Sequence, residues 1–220
     1  MSLLKIIKDS HSLSADDMSM EEFLDLCKKD KEVLKTPAER MLSAIGEAKI
    51  VDTKLDDRLS RIHSNKKVKV YPAFSDFYGM EDTIEQIVSF FKHAAQGLEE
   101  KKQILYLLGP VGGGKSSISE TLKKLMEKNF IYVLVADGEV SPIWENPLGI
   151  FASYKDQLEE EYGISKRFIP SCPSPWATKR LQEFGGDITK FSVRKIKMSI
   201  ASQIGVSKVE PGDENNQDIS

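Results

Sequence analysis

Eight residues, Gly109-Pro-Val-Gly-Gly-Gly-Lys115-Ser116, follow the pattern G-x-x-x-x-G-K-[ST], the spacing with which a backbone can wrap a phosphate chain. Gly109, Gly112, Gly113 and Gly114 lack the Cβ that would obstruct a tight loop or the approach of phosphate oxygens, so successive N–H groups turn inward around an anion. A helix opening near Gly114 adds its unpaired N–H groups and the positive end of its dipole at the same place. Lys115 supplies a mobile cation for the β and γ phosphates, and the Ser116 hydroxyl is of the type that ligates Mg2+. Pro110, Val111 and Ser117 complete the loop and its first helical turn. The chemistry expected is binding of ATP or GTP with magnesium, with Lys115 the residue that carries any phosphoryl transfer.

Of the two nucleotides, ATP is preferred. A guanine-reading NKxD is expected after such a loop, but the Asn-Lys pair of this chain, Asn65-Lys66, lies before it and is followed by Lys67-Val68. The DxxG sequence Asp76-Phe-Tyr-Gly79 is likewise upstream. The G-x-G-x-x-G, V-A-I-K, H-R-D and D-F-G elements of eukaryotic-type protein kinases are absent. His11, His63 and His93 have no metal-site spacing, and no Ser-His-Asp arrangement can be argued. The basic residues Arg58, Arg61, Lys66, Lys67 and Lys69, and later Arg180, Arg194 and Lys195, read as solvated surface.

The elements that must position the loop follow from periodicity. Gln103 to Leu108 is a compact apolar run that reads as a buried parallel strand. Ile118, Leu122, Leu125 and Met126 mark the helix after the loop, and Ile131 to Ala136 a second buried strand. Together they predict a βαβ unit. Before them, Glu21 to Lys29 carries an apolar face of Phe23, Leu24 and Cys27. Thr36, Pro37 and Glu39 spell a capping box that opens a helix lined by Met41, Leu42 and Ile45 and closed by Gly46. Lys67 to Tyr71 alternates as a short strand, and Ile84, Ile87, Val88 and Phe91 give a helix after the aromatic turn Phe74-Ser-Asp-Phe-Tyr-Gly79. Farther on, Ser174-Pro175 caps a helix whose Trp176, Leu181 and Phe184 face inward before Gly185-Gly186.

Composition sets bounds on all of this. With 220 residues, 40% hydrophobic and 30% charged, the chain has the material for a sizeable folded domain. Its 31 basic and 34 acidic residues give a net charge of -3, which offers no field for nucleic acid or an anionic membrane. Cys27 and Cys172 are too far apart in sequence for a zinc knuckle and are read as two buried structural thiols. No apolar run approaches the roughly 20 residues of a membrane span, and the N-terminus lacks the features of a signal peptide, so the cytoplasm is expected.

Four stretches carry a family likeness. Tyr71-Pro-Ala-Phe-Ser-Asp-Phe-Tyr-Gly-Met-Glu-Asp82, the run from Phe91 through Ser116, and Glu183-Phe-Gly-Gly-Asp-Ile-Thr-Lys-Phe191 closely resemble the bacterial PrkA serine protein kinases, as does the segment Glu210 to Ser220. The likeness extends over nearly the whole chain from about residue 20. It implies an α/β P-loop NTPase of the AAA type, a parallel sheet flanked by helices. Residues 1–70 would be a helical lead-in and 71–220 an incomplete ATP-binding domain at the front of a longer protein of serine/threonine phosphorylation and stress or sporulation signalling. It also implies that Gly109 to Ser116 hold ATP and Mg2+, that Tyr78 and Gly79 contact adenine, that the substrate is a protein hydroxyl, and that AAA packing can build a homo-oligomer. Asp137, at the end of the second apolar strand with Glu139 two residues on, is read as a strand end and not a metal ligand, because AAA ATPases place another strand and helix before their acidic strand.

Only 118 residues remain from Gln103 onward, while five strands with crossovers at about 30 residues per βαβ step need roughly 150. The chain is therefore expected to stop before its acidic metal-binding strand and to bind ATP with little turnover. Two other readings stay open: an AAA ATPase that remodels or helps degrade proteins, and a nucleotide-binding regulatory module that does not hydrolyse.

Overall fold

The computed structural model describes residues 17–55, 57–63, 66–110 and 112–205. In chain order the elements are β1 (Met18–Ser19), α1 (Met20–Lys29), α2 (Pro37–Ile45), β2 (Lys49–Asp52), α3 (Asp57–His63), β3 (Lys67–Val70) and α4 (Glu81–Ala95). Then come α5 (Lys115–Met126), β4 (Phe130–Ala136), β5 (Glu139–Val140), α6 (Lys155–Tyr162), α7 (Pro175–Glu183) and β6 (Phe191–Lys197). Contacts divide them into two units, one continuous over residues 35–129 and one assembled from the stretches 1–34 and 130–220.

The continuous unit carries the glycine loop. Its first helix, α2, starts on the capping box read in the sequence: Thr36 Oγ1 accepts from the Glu39 backbone N–H, and the Glu39 carboxylate accepts from the Thr36 N–H at 2.7 Å. Gly46 ends it at a φ of 80°, where a side chain would be strained. β2 and β3 form an antiparallel pair from Lys49↔Val70 to Asp52↔Lys67, which places the expected strand beside a partner that alternation had not revealed. Helix α4 buries Ile84, Ile87 and Val88 of the expected face while Phe91 is only half-buried, and α5 buries Ile118, Leu122, Leu125 and Met126, the face that the helical period marks.

The strand expected at Gln103 to Leu108 is not found. No described residue pairs with it, and Ile104, Tyr106 and Leu108 are 89%, 76% and 81% exposed. An apolar run becomes a strand only when a neighbour accepts its backbone hydrogen bonds. The predicted βαβ unit is therefore absent among the described residues.

The second unit is built on a four-stranded sheet of order β1-β6-β4-β5 in which every pairing is antiparallel, which corrects the expected parallel sheet. β4 lies alongside β6 from Phe130↔Lys197 to Ala136↔Phe191. Val133 to Ala136 are fully buried, which is why the run reads as continuous hydrophobicity. Burial on both faces carries no information about direction, and the partner comes from 55 or more residues away in sequence. Phe23, Leu24 and Cys27 of α1 pack into the core with Leu134, Ala136, Phe191 and Val193, joined by Leu148, Ile164 and Ala177. Trp176, Leu181 and Phe184 pack against this core as the sequence suggests. Cys27 is buried as expected, whereas Cys172 is exposed.

Candidate functional site

The glycine loop meets the start of α5 in the geometry that its sequence demands. Gly112 and Gly114 have φ of 78° and 74°, torsions that an L side chain rarely adopts. A Cβ on Gly113 would lie 3.0 Å from the Pro110 carbonyl oxygen, so this position too is held to glycine by close approach of the backbone. The Gly113 N–H donates to Pro110 O at 3.1 Å and closes the turn. The first α5 amide bonded along the helix is that of Ile118, which donates to Gly114 O at 2.9 Å. The amides of Lys115, Ser116 and Ser117 therefore face out of the helix end with the positive end of its dipole. Lys115 Nζ folds over the loop and donates to the carbonyls of Gly109, at 2.8 Å, and Pro110. Ser116 and Ser117 are exposed on the first turn, open to a ligand. Val111 lies outside the described residues.

The aromatic turn before α4 stands next to this helix start. Met80 follows Gly79, and its Sδ sits 3.1 Å from the point that a Cβ on Gly114 would occupy. Tyr78 is 70% exposed, and Gly79 has a φ of 77°. Tyr78 also lines a cavity of about 600 Å3 whose walls include Tyr71, Phe74, Phe77 and Glu81. Arg58 and Lys69 stand at this cavity too, and Lys69 is paired with Glu85. The rest of that basic cluster, Arg61, Lys66 and Lys67, is solvated as read from the sequence.

Other candidates resolve into structural roles. Asp137 and Gly138, with φ of 51° and 78°, are the two central residues of the tight hairpin joining β4 to β5, where Ala136 faces Glu139. That is the Asp-Gly turn chemistry of a two-residue hairpin. Arg180 is engaged with Glu139 at 2.7 Å and Glu183 at 3.1 Å, and Arg194 grips both Asp17 carboxylate oxygens at 2.6 and 2.8 Å. Among the described residues no group of three His, Cys, Asp or Glu side chains is placed to hold a metal. The sequence reading missed His63 and Glu81, which are 5% and 7% exposed and joined at 2.8 Å between His63 Nε2 and Glu81 Oε2. Nothing in their spacing of 18 residues signals the pair.

With this glycine loop and its lysine at the head of a helix beside an aromatic turn, the chain belongs to the PrkA AAA domain family, which it matches over residues 18–220. It is 59% identical over 207 residues to the serine/threonine kinase YeaG of Escherichia coli K12, covering 93% of this chain and 32% of that protein. It is 30% identical over 207 residues to the ATP-dependent protease PrkA of Bacillus subtilis, covering 90% of this chain and 30% of that protein. The chain thus spans about a third of the length of the curated relatives it matches. No solved structure shows significant similarity to it. Among the described residues, no helix is long and apolar enough to cross a membrane.

Proposed function

We propose that this chain is the ATP-binding module of a PrkA-type serine/threonine protein kinase, with residues 71–220 as its AAA domain. The observation that carries the reading is the cradle itself: left-handed Gly112 and Gly114, Gly113 with no room for a Cβ, and the open amides of Lys115 to Ser117 at the head of α5. The oxygens of a triphosphate accept hydrogen bonds from those amides in place of water. Lys115 exchanges the carbonyls of Gly109 and Pro110 for the β and γ phosphate oxygens, where its charge offsets the charge that builds up during transfer.

The donor set also fits magnesium, a hard cation that takes few protein oxygens and keeps phosphate oxygens and water as its other ligands. Ser116 Oγ would hold it, and the ion would supply neutralisation of the phosphate charge. The turn Phe77-Tyr78-Gly79 takes the adenine, with the aromatic cavity beside Tyr78 as its apolar surround. The protein hydroxyl that receives the γ-phosphoryl group would be presented by parts of the longer protein.

Binding is tested by titrating ATP into the chain with and without Mg2+. Lys115→Ala should weaken ATP by at least about tenfold, the loss expected for a charge-assisted hydrogen bond, and Ser116→Ala should abolish the advantage given by Mg2+. Unchanged affinity in Lys115→Ala would sink the assignment. The Bacillus subtilis relative, an ATP-dependent protease by name, supports a second reading, an ATPase coupled to protein breakdown.

A further inference from the structure

We propose that His63 and Glu81 are positioning residues for nucleotide binding, and that they set the base-facing turn Tyr78–Gly79 against the phosphate cradle. The inference rests on the reading of Gly109–Ser116 as a nucleotide site. Glu81, the first residue of α4, uses its two carboxylate oxygens for different tasks. Oε1 accepts from the Gly79 backbone N–H at 3.3 Å, and Oε2 accepts from His63 Nε2 at 2.8 Å. His63 Nδ1 lies 3.7 Å from the carboxylate of the exposed Asp82. The residue before His63 grips the same turn: a Cβ on Gly79 would stand 3.2 Å from Ile62 Cδ1. Two successive residues at the end of α3 therefore bear on Gly79, Ile62 directly and His63 through Glu81, and Met80, the next residue, abuts Gly114 of the cradle.

Volume alone does not call for this arrangement. Burying a polar side-chain pair carries a desolvation penalty that well-packed apolar residues avoid, and such replacements are often neutral or stabilising. What the pair contributes is direction. Both oxygens of one carboxylate are committed, so the left-handed torsion at Gly79 is tied to α3, and the Tyr78 ring is held at a set distance from the loop that grips the phosphates. Met80 caps α4 with no side-chain hydrogen bond, which leaves Glu81 free to reach back to the turn.

The test compares two ligands on the full 220-residue chain: ATP, which engages both turn and cradle, and inorganic tripolyphosphate, which engages only the cradle. Calorimetry should show that Glu81→Ala and His63→Leu weaken ATP by about tenfold, the scale of one charge-assisted hydrogen bond, and alter tripolyphosphate by less than about twofold. His63→Gln, which keeps an N–H donor near the position of Nε2, should restore ATP binding to within about threefold of wild type. Equal losses of both ligands, no loss of either, or failure of His63→Gln to rescue overturns the positioning role. If Glu81→Ala does not fold, the His63→Leu and His63→Gln pair carries the same comparison. A wild-type chain that binds neither ATP nor tripolyphosphate overturns the nucleotide reading itself, a distinct result.

Discussion

At the scale of single residues, the cradle is defined by what its glycines exclude. Gly113 has ordinary torsions, so its requirement is spatial: an added methyl would press on the Pro110 carbonyl at 3.0 Å, and that carbonyl already closes the turn by accepting from the Gly113 N–H. Gly113→Ala should therefore weaken ATP by about tenfold while leaving the melting temperature within a degree or two, because the loop lies at the surface and buries little. Calorimetry beside a thermal melt reads both, and full affinity in the variant would contradict the geometry. The two cysteines separate by burial. Desolvation pushes the Cys27 thiol from its ordinary 9.0 up to about 12, with the charge of Lys31 opposing the rise. Below pH 9 both folded and unfolded chains keep this proton. Between pH 9 and about 12 the unfolded chain loses it first, so stability falls as pH rises through that window. Urea unfolding of wild type and Cys27→Ala at pH 8 and pH 10.5 should show the steeper fall in wild type. A maleimide at pH 7.5 should label Cys172 in the folded chain and reach Cys27 only after denaturation.

At the scale of elements, the contrast between Gln103–Leu108 and β4 is the informative one. Both are short apolar runs, yet among the described residues no strand pairs with the first, whose Gln103 N–H donates only locally to Glu100 O at 3.1 Å, while β4 is paired on both sides by β5 and β6. Hydrogen exchange should accordingly be fast for Ile104 to Leu108 and slow for Val133 to Val135; slow exchange in the former would mean that a partner strand is present in solution. The same contrast explains what the sequence made legible. Helices were readable because their information is local: Thr36, Pro37 and Glu39 cap α2 within three residues, and Ile118, Leu122 and Leu125 mark the buried face of α5 within two turns. The cradle was readable for the same reason, since it is eight consecutive residues. Sheet direction was not, because β4 finds β6 only through tertiary packing, and Val133 to Ala136 would be equally apolar in a parallel sheet. The Asp137-Gly138 turn was a local signal for an antiparallel hairpin, and given weight it would have corrected the parallel expectation. His63 and Glu81 could not be paired from sequence, because the strand β3 and the aromatic turn intervene before they meet.

At the scale of the whole molecule, the two units differ in how the chain builds them. Residues 35–129 form one continuously, and the site from His63 to Ser117 lies wholly within it. The other is closed by the pairing of β1 with β6, Met18 opposite Val193, so segments from both sides of the site-bearing stretch complete a single sheet. The proposed nucleotide site lies in one continuous stretch, but phosphoryl transfer asks for more than binding. Beyond Ser116 and the phosphates themselves, an efficient P-loop site needs an acidic metal ligand and a group that orients the nucleophile. Asp137, the strand-end acid nearest in sequence, is committed to a hairpin turn. The 220-residue chain should therefore bind ATP yet turn it over at least about 100-fold more slowly than the longer protein, the scale of losing one preorganised electrostatic contact. With γ-labelled ATP and the longer protein, label appearing on a serine or threonine of a protein substrate, and lost in Lys115→Ala, is the outcome expected of a kinase. Free phosphate released without labelled protein, accompanied by substrate cleavage, would move the assignment to the protease that the Bacillus subtilis relative's name describes. Rapid hydrolysis by the 220-residue chain alone would instead show that its own residues complete the site, and would direct the search for the second ligand back to the carboxylates within residues 35–129.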